Sequence, residues 1–343
     1  MRAIAYTRLG DPSVLELAER PIPEPGEGEV RIRVFVSGVN PTDWKSRSGT
    51  FGGALAEPTV PNHDGAGVVD KLGAAVVGLS IGDRVWVTLA GDGRPAGGTA
   101  QEYTIVPVGR VFPLPDPADF ELGASVGIPA VTAHRALTVV EDGPARLRPD
   151  ALSGRVVLVA GGAGAVGNAA IQLSRWAGAT VIATVSERTK ARLATAAGAH
   201  HVVNYKGSDA AAEIRNVVSD GVDLIVEVAA GANAELDQAV LRPRGTVSIY
   251  ANDGGVPFNL DVRRNMSLNA RYQFILLYTV GWERIAAAAA DINQAIETGS
   301  FNVGEQAGLP LHRFRLEDAQ TAHEAVESGV VGKVLVTVDE RRG

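Results

Sequence analysis

The sequence predicts an α/β protein of two domains, one a mostly antiparallel β domain and the other a doubly wound parallel sheet. Three observations carry this. The first third is a series of short strand-like runs cut by Gly, Pro and Asp. Past residue 125 the rhythm changes to strong strand–helix alternation, the pattern of a parallel sheet covered by helices. At 343 residues with 45% hydrophobic content, the chain has material for two buried cores.

In chain order, "MRAIAYT", "EVRIRVFVSGV", "GAGVVDKLG", "DRVWVTLA" and "AQEYTIVP" read as strands, with period-2 alternation from Val30 to Val34. The proline-rich "RPIPEPGEGE" is a loop between two of them. The apolar run "GRVVLVA" reads as a strand buried on both faces, and "AVGNAAIQLSRWAG" as a helix ending at Gly178. Strands "TVIATV", "HHVVNY", "VDLIVEVA" and "GTVSIYA" then alternate with helices "ERTKARLATAAG", "AAEIRNVVSD" and "NAELDQAVLRP". "LNARYQFILLYT" adds a strand, and "GWERIAAAAADINQAIETG" a closing helix. The tail, "LPLHRFRLEDAQTAHEAVESGVVGKVLVTV", returns to mixed structure that is expected to pack on the first domain. The expected domains are residues 1–125 with 300–343, and 126–299.

Composition narrows the function. There are 32 Lys+Arg against 39 Asp+Glu, a net charge of −7, which argues against nucleic acid as the main partner. There is no cysteine, so disulfides, thiolate nucleophiles and cysteine-ligated zinc are excluded, in keeping with a cytoplasmic location. The N-terminus has no apolar signal region, and runs such as "RIAAAAADI" are too short to span a bilayer. No membrane partner is expected.

"VVLVAGGAGAVGNAAIQL" places Gly162-x-Gly164-x-x-Gly167 between a buried strand and an amphipathic helix. The first glycine allows the tight turn, the second the approach of backbone to a pyrophosphate, the third close helix–strand packing. The loop Gly162, Ala163, Gly164, Ala165, Val166 and Gly167 is therefore a candidate dinucleotide site. An NAD site usually carries an acid at the end of the second strand, and here that strand ends Thr184-Val185-Ser186. Ser186, Arg188, Lys190 and Tyr205 instead suit a 2′-phosphate, so NADPH is expected, with Glu187 the dissenting residue.

Carried by "SGVNPTDWKSRSG", "NHDGAGVVDKLG", "GDRVWV", "GGTAQEYTIVP", "GASVGIPAVTAHRAL", "AGGAGAVG", "AGAHHVVNY" and "GKVLVTV", a resemblance runs through nearly the whole chain. The sequence resembles the medium-chain dehydrogenase/reductase superfamily and, within it, the zinc-free quinone oxidoreductases of the zeta-crystallin branch. The resemblance implies a GroES-like domain built from both chain ends beside a Rossmann domain, with the cofactor in the cleft between them. It implies a homodimer that pairs the last Rossmann strand, "RYQFILLY", across a two-fold axis. It adds Ala251, Phe274 and Lys333 to the cofactor contacts, and places Asn40, Asp43, Lys45, Arg47, His63 and Thr132 in the cleft, Thr132 near the nicotinamide.

Zinc-dependent members of the superfamily take metal ligands at positions that correspond here to Asn40, His63 and approximately Ile128. An amide and an alkyl group cannot complete a tetrahedral site, so no metal is expected. A His63/Asp64/Asp43 site is the alternative, against a reading in which His63 and Asp64 hydrogen-bond locally. Without a metal, hydride from NADPH suits a quinone or enone, whose conjugated oxygen takes up the charge. Lys45 stands where many quinone oxidoreductases have tyrosine; it either donates to a developing oxyanion or is a solvated loop residue. Competing readings are an enoyl-thioester or biosynthetic tailoring reductase, a non-catalytic NADPH-binding protein, and a zinc alcohol dehydrogenase. His134 reads as a packing residue, and the loop "RSGTFGGALAEPTVP" as a shape-determining but uncoded part of the substrate site.

Overall fold

The computed structural model describes residues 1–52, 55, 57–207 and 209–339; residues 53, 54 and 56 of the loop just named lie outside them. The chain divides into two compact units, residues 1–128 with the segment from Leu311 onward, and Pro129–Pro310.

The first unit opens with β1 (Arg2–Ala5) and β2 (Glu16–Glu19), an antiparallel pair. β3 (Glu29–Val39) is its backbone: Val30, Ile32 and Val34 alternate into the core, and a register shift between Val34 and Val36 leaves the rest of the strand buried throughout. Helix α1 (Pro41–Ser48) follows, with Pro41 in its first turn, Asp43 folded back onto the Asn40 N–H, and Gly49 closing it at φ 84°. Strands β4 (Asp64–Leu72), β5 (Arg84–Val87), β6 (Tyr103–Pro107) and β7 (Val111–Pro113) complete the N-terminal part, all antiparallel to their neighbours. α2 (Phe120–Leu137) then leads the chain into the second unit.

That unit is a six-stranded sheet built from β8 (Val156–Ala160), α3 (Ala165–Trp176), β9 (Thr180–Val185), α4 (Arg188–Ala196), β10 (His201–Asn204), α5 (Ala210–Val217), β11 (Val222–Glu227), α6 (Ala230–Val240), β12 (Leu241–Ile249), α7 (Val262–Leu268), β13 (Arg271–Phe274) and α8 (Trp282–Glu297). Its order is β10-β9-β8-β11-β12-β13 with every pair parallel, so the first three strands run outward and the next three run the other way. This is the doubly wound order in which ligands bind beyond the carboxyl ends of the strands, where the order reverses. Leu158, Ile182, Ile225 and Val247 are buried in its core, each side chain contributing about 1.5–3 kcal/mol by leaving water.

The chain returns to the first unit with β14 (Leu311–Arg315), α9 (Ala319–Glu327) and β15 (Lys333–Thr337). β15 pairs antiparallel with β3 and parallel with β14, so both chain ends build one sheet. The strand expected over 268–279 stops at Phe274 and gives way to a 3-10 turn at Leu277–Thr279, and α7, like α1, lies where the sequence reading assigns no helix. Among the described residues, no helix is long and apolar enough to cross a membrane.

Candidate functional site

The glycine loop occupies the turn between β8 and α3, and its three glycines do different work. A Cβ on Gly162 would lie 2.8 Å from the Ala183 Cβ and 3.1 Å from Ile171 Cδ1, so this residue lets the loop lie on β9 and α3. On Gly167 it would fall 2.3 Å from the Gly161 carbonyl oxygen, so here helix and loop touch backbone to backbone. Gly164 is different: its nearest neighbour is the Gly161 oxygen at 3.5 Å, an ordinary contact. Among the described residues nothing requires glycine there, and the residue is exposed at the N-cap of α3 without a side-chain cap. The open backbone at a helix N-terminus is what a pyrophosphate needs.

The Gly162 N–H donates to the Thr184 carbonyl oxygen at 3.1 Å, which brings the loop against the end of β9. Just beyond that end lie Ser186, exposed Arg188 and Lys190, whose ammonium is 3.3 Å from the Ser186 hydroxyl. Among the described residues Arg188 and Lys190 form no ion pair with a carboxylate. Glu187 is exposed at the N-cap of α4 without capping it. Tyr205 follows β10, is 45% exposed, and borders a groove of about 1090 Å³ that runs along α5 and α6. Ala251 and Phe274 come together at the ends of β12 and β13. With Tyr250, Phe258 and Leu276 they line a cavity of about 440 Å³.

The first unit holds a buried polar network with Asp64 at its centre. The Asp64 carboxylate accepts from Asn40 Nδ2 (2.7 Å), Thr88 Oγ1 (2.9 Å) and the Ile128 N–H (2.9 Å). The Lys333 ammonium lies 3.7 Å away and donates to Asn40 Oδ1 at 2.7 Å. Asn40, Asp64 and Lys333 are all at most 2% exposed. Burial pushes the Asp64 carboxyl up, and the Lys333 charge opposes this; burial pushes Lys333 down, opposed by Asp64 and Asp43. Asp43 stands beside them, its carboxyl pushed up to about 8 by burial and by the Asp64 charge. His63 Nε2 is 4.0 Å from Asp43 Oδ1, and burial drives the imidazole down to about 4, so it is neutral near pH 7.

The local hydrogen bonding expected of Asp64 is thus replaced by long-range partners, which sequence spacing does not reveal. Lys333, expected at the cofactor, has its ammonium inside this network. Arg47, expected in the cleft, is fully buried and holds α1 to its surroundings through the Gly10 carbonyl oxygen (2.6 Å) and Glu327 of α9 (2.5 Å). Lys45 is half-buried on α1 with its ammonium 5.7 Å from the Trp44 ring centre. Thr132 is buried on α2, in the second unit. His134, read as a packing residue, is buried and paired with Asp291 at 2.8 Å, and Arg146 also bonds that carboxylate.

These residues do not fit a tetrahedral metal. The Asn40 amide is engaged on both sides, Ile128 offers only its backbone, and an ammonium already faces Asp64. Among the described residues no cluster of three or more His, Asp or Glu could hold an ion.

Residues 26–116 match the alcohol dehydrogenase GroES-like domain, and residues 165–294 the zinc-binding dehydrogenase family. The chain is 32% identical over 342 residues to the quinone oxidoreductase of Lama guanicoe, covering 98% of this chain and 97% of the relative. Among solved structures, an NAD-dependent alcohol dehydrogenase superposes with a TM-score of 0.84 at 28% identity, covering 99% of this chain and 100% of that one. A mycobacterial protein solved in complex with NADPH superposes with a TM-score of 0.81 at 30% identity, covering 98% and 99%.

Proposed function

The chain belongs to the quinone oxidoreductase, zeta-crystallin-like branch of the medium-chain dehydrogenase/reductase superfamily, and from that premise we propose that it is an NADPH-dependent, zinc-independent reductase of quinones or other conjugated (enone) acceptors. The observation that carries the proposal is the glycine loop with its one sterically unneeded glycine, set against a strand end that offers a hydroxyl and two cations but no capping acid. Gly164 and the first turn of α3 would take the pyrophosphate, and Ser186, Arg188 and Lys190 the 2′-phosphate. Tyr205 would flank the adenosine, and Ala251 and Phe274 the nicotinamide end.

When bound, NADPH supplies the hydride. The protein positions the acceptor and meets the charge that develops on its oxygen. We assign that role to Lys45 and His63, with Asp43 holding a proton near neutral pH and Thr132 orienting the nicotinamide; Asn40 and Lys333 hold Asp64 and so fix the floor beneath His63. Metal plays no part in this reading, because the Asn40 amide and the Lys333 ammonium occupy the polar positions where a cation would need donors. The same reading makes the chain a cytoplasmic homodimer paired through β13, which ends its sheet and exposes Phe274 and Leu276.

A substrate screen monitored by NADPH absorbance tests the proposal. Turnover of simple quinones or enones, unaffected by chelator, supports it. Turnover of a crotonyl thioester with none of quinones would transfer the chain to the enoyl-thioester reductases. Tight NADPH binding without oxidation by any acceptor would make it a non-catalytic binder, and stoichiometric zinc with chelator-sensitive activity an alcohol dehydrogenase.

A further inference from the structure

Glu227, the last residue of β11, and Asp237, on α6 one turn beyond the Asn233 that reaches Glu227, are respectively 0% and 1% exposed, and the two carboxyls act on each other electrostatically. Glu227 Oε1 accepts from Asn233 Nδ2 (2.9 Å) and from the Ala229 N–H. Glu227 Oε2 and both Asp237 oxygens have no donor among the described residues, and neither acid is in an ion pair with a described Lys or Arg. Two ionised carboxylates buried together without a cation would be strongly unfavourable, whereas one proton between them satisfies both.

The pair sits beneath the loops at the carboxyl end of the sheet. The Glu227 carbonyl oxygen accepts from the Tyr250 N–H (3.1 Å), and that of Val228 from the Asp253 N–H (2.9 Å). Asn252 ties the two loops together, accepting the Gly231 N–H (2.8 Å) and donating to the Val256 carbonyl oxygen (3.0 Å). Ala230, Tyr250, Ala251 and Asn252 form one wall of the cavity assigned above to the nicotinamide end. We propose that Glu227 and Asp237 share a single proton, and that this proton holds the 228–231 and 250–256 loops in the form that binds the dinucleotide. The loop role rests on the proposed function; the shared proton does not.

Among the described residues, the other groups facing the pair supply no compensating charge. Tyr250, just past β12, is raised by burial, Glu227 and Asp253; Tyr272, on β13, is pushed up to about 12 by burial and Asp237, with Arg264 of α7 opposing. Both phenols therefore stay neutral while the dyad titrates. Burial raises both carboxyls, Asp237 well above its ordinary value with the Glu227 charge adding to it, so the pair keeps its proton to higher pH than free carboxyls do. Glu227 and Asp237 are positioning residues.

The test compares wild type with Asp237→Asn, whose amide donates to Glu227 without titrating, and with Glu227→Gln as the reciprocal variant should the first fold poorly. The infrared C=O band of a protonated carboxyl should be present in wild type at pH 7 and weaker in both variants. It should fade as the pH rises, while the Kd for NADPH climbs by up to about tenfold per pH unit, the limit for one required proton. Asp237→Asn should remove that part of the climb. An infrared spectrum of wild type at pH 7 identical in this region to that of Asp237→Asn would overturn the shared proton. Identical pH profiles of Kd would overturn the loop role. If wild type binds no NADPH at any pH, the proposed function fails, and a band that still fades together with an alkaline fall in Tm, both absent from Asp237→Asn, would uphold the shared proton alone.

Discussion

Alanine at Gly167 and alanine at Gly164 should damage the protein in different ways, although the two sites are three residues apart in one loop. At Gly167 the new Cβ would lie 2.3 Å from the Gly161 carbonyl oxygen and 3.0 Å from the Gly162 Cα, and neither neighbour is a flexible side chain that could swing away. Overpacking of this kind costs about 1–3 kcal/mol, and backbone against backbone belongs at the upper end. Alanine is the better helix former by about 0.8–1 kcal/mol, which offsets part of the loss. The net is a destabilisation of about 1–2 kcal/mol, or a Tm lower by roughly 2–8 °C for a unit of this size. At Gly164 the nearest atom is 3.5 Å away, so the fold loses only the modest N-cap preference of glycine over alanine, about 0.5 kcal/mol. Its Cβ would instead stand where the pyrophosphate approaches. Thermal unfolding with and without NADPH, together with NADPH titration, separates the two. Gly167→Ala should unfold early with or without NADPH. Gly164→Ala should keep nearly the wild-type Tm when free and lose most of the NADPH-induced rise. Equal losses of intrinsic stability, or wild-type affinity in Gly164→Ala, would refute the steric reasoning.

Three further outcomes follow from the geometry. Replacing Arg188 and Lys190 with Ala should weaken NADPH by a few kcal/mol at most and leave NADH nearly unchanged; equal loss for both would remove the 2′-phosphate assignment. Lys333→Met leaves Asp64 buried without its cation and should cost about 3–5 kcal/mol in denaturant unfolding, less at acid pH where Asp64 can take up a proton. Asp43 has a folded pKa raised from 3.8 to about 8, so its stabilising contribution is complete below the unfolded value and is lost as pH rises through that window. Asp43→Asn should therefore flatten the decline in stability between about pH 4 and 8; a profile unchanged from wild type would show that Asp43 is ionised in the folded protein.

Much of this protein was legible along the chain because the relevant physics is local. An apolar run, three glycines at fixed spacing and an amphipathic helix specify a strand–turn–helix unit with an open helix N-terminus. Alternation of buried strands with helices specifies a parallel sheet, since each crossover must cover a face. The helical periodicity of residues 281–299 likewise predicted α8. The strand expected over 268–279 was misjudged because an apolar run does not say where its last partner ends; β12 offers register only to Phe274.

The sequence by itself determined the two-part architecture, the glycine loop and the absence of thiol chemistry. Only the tertiary structure decided the polar chemistry beneath the surface. Residues 40, 64, 88, 128 and 333 become one network because β15 pairs with β3, β3 with β4 and β4 with β5, and α2 lays its Ile128 N–H on Asp64. These pairings turned Asp64 from a presumed local partner of His63 into the centre of a network spanning nearly the whole chain, and engaged the Asn40 amide on both sides. Glu227 and Asp237 are ten residues apart and unremarkable in sequence; the proton proposed for them follows from their shared burial with no described cation beside them. Burial and the company of distant charges set the state of an ionisable group, and neither is written in the residues beside it.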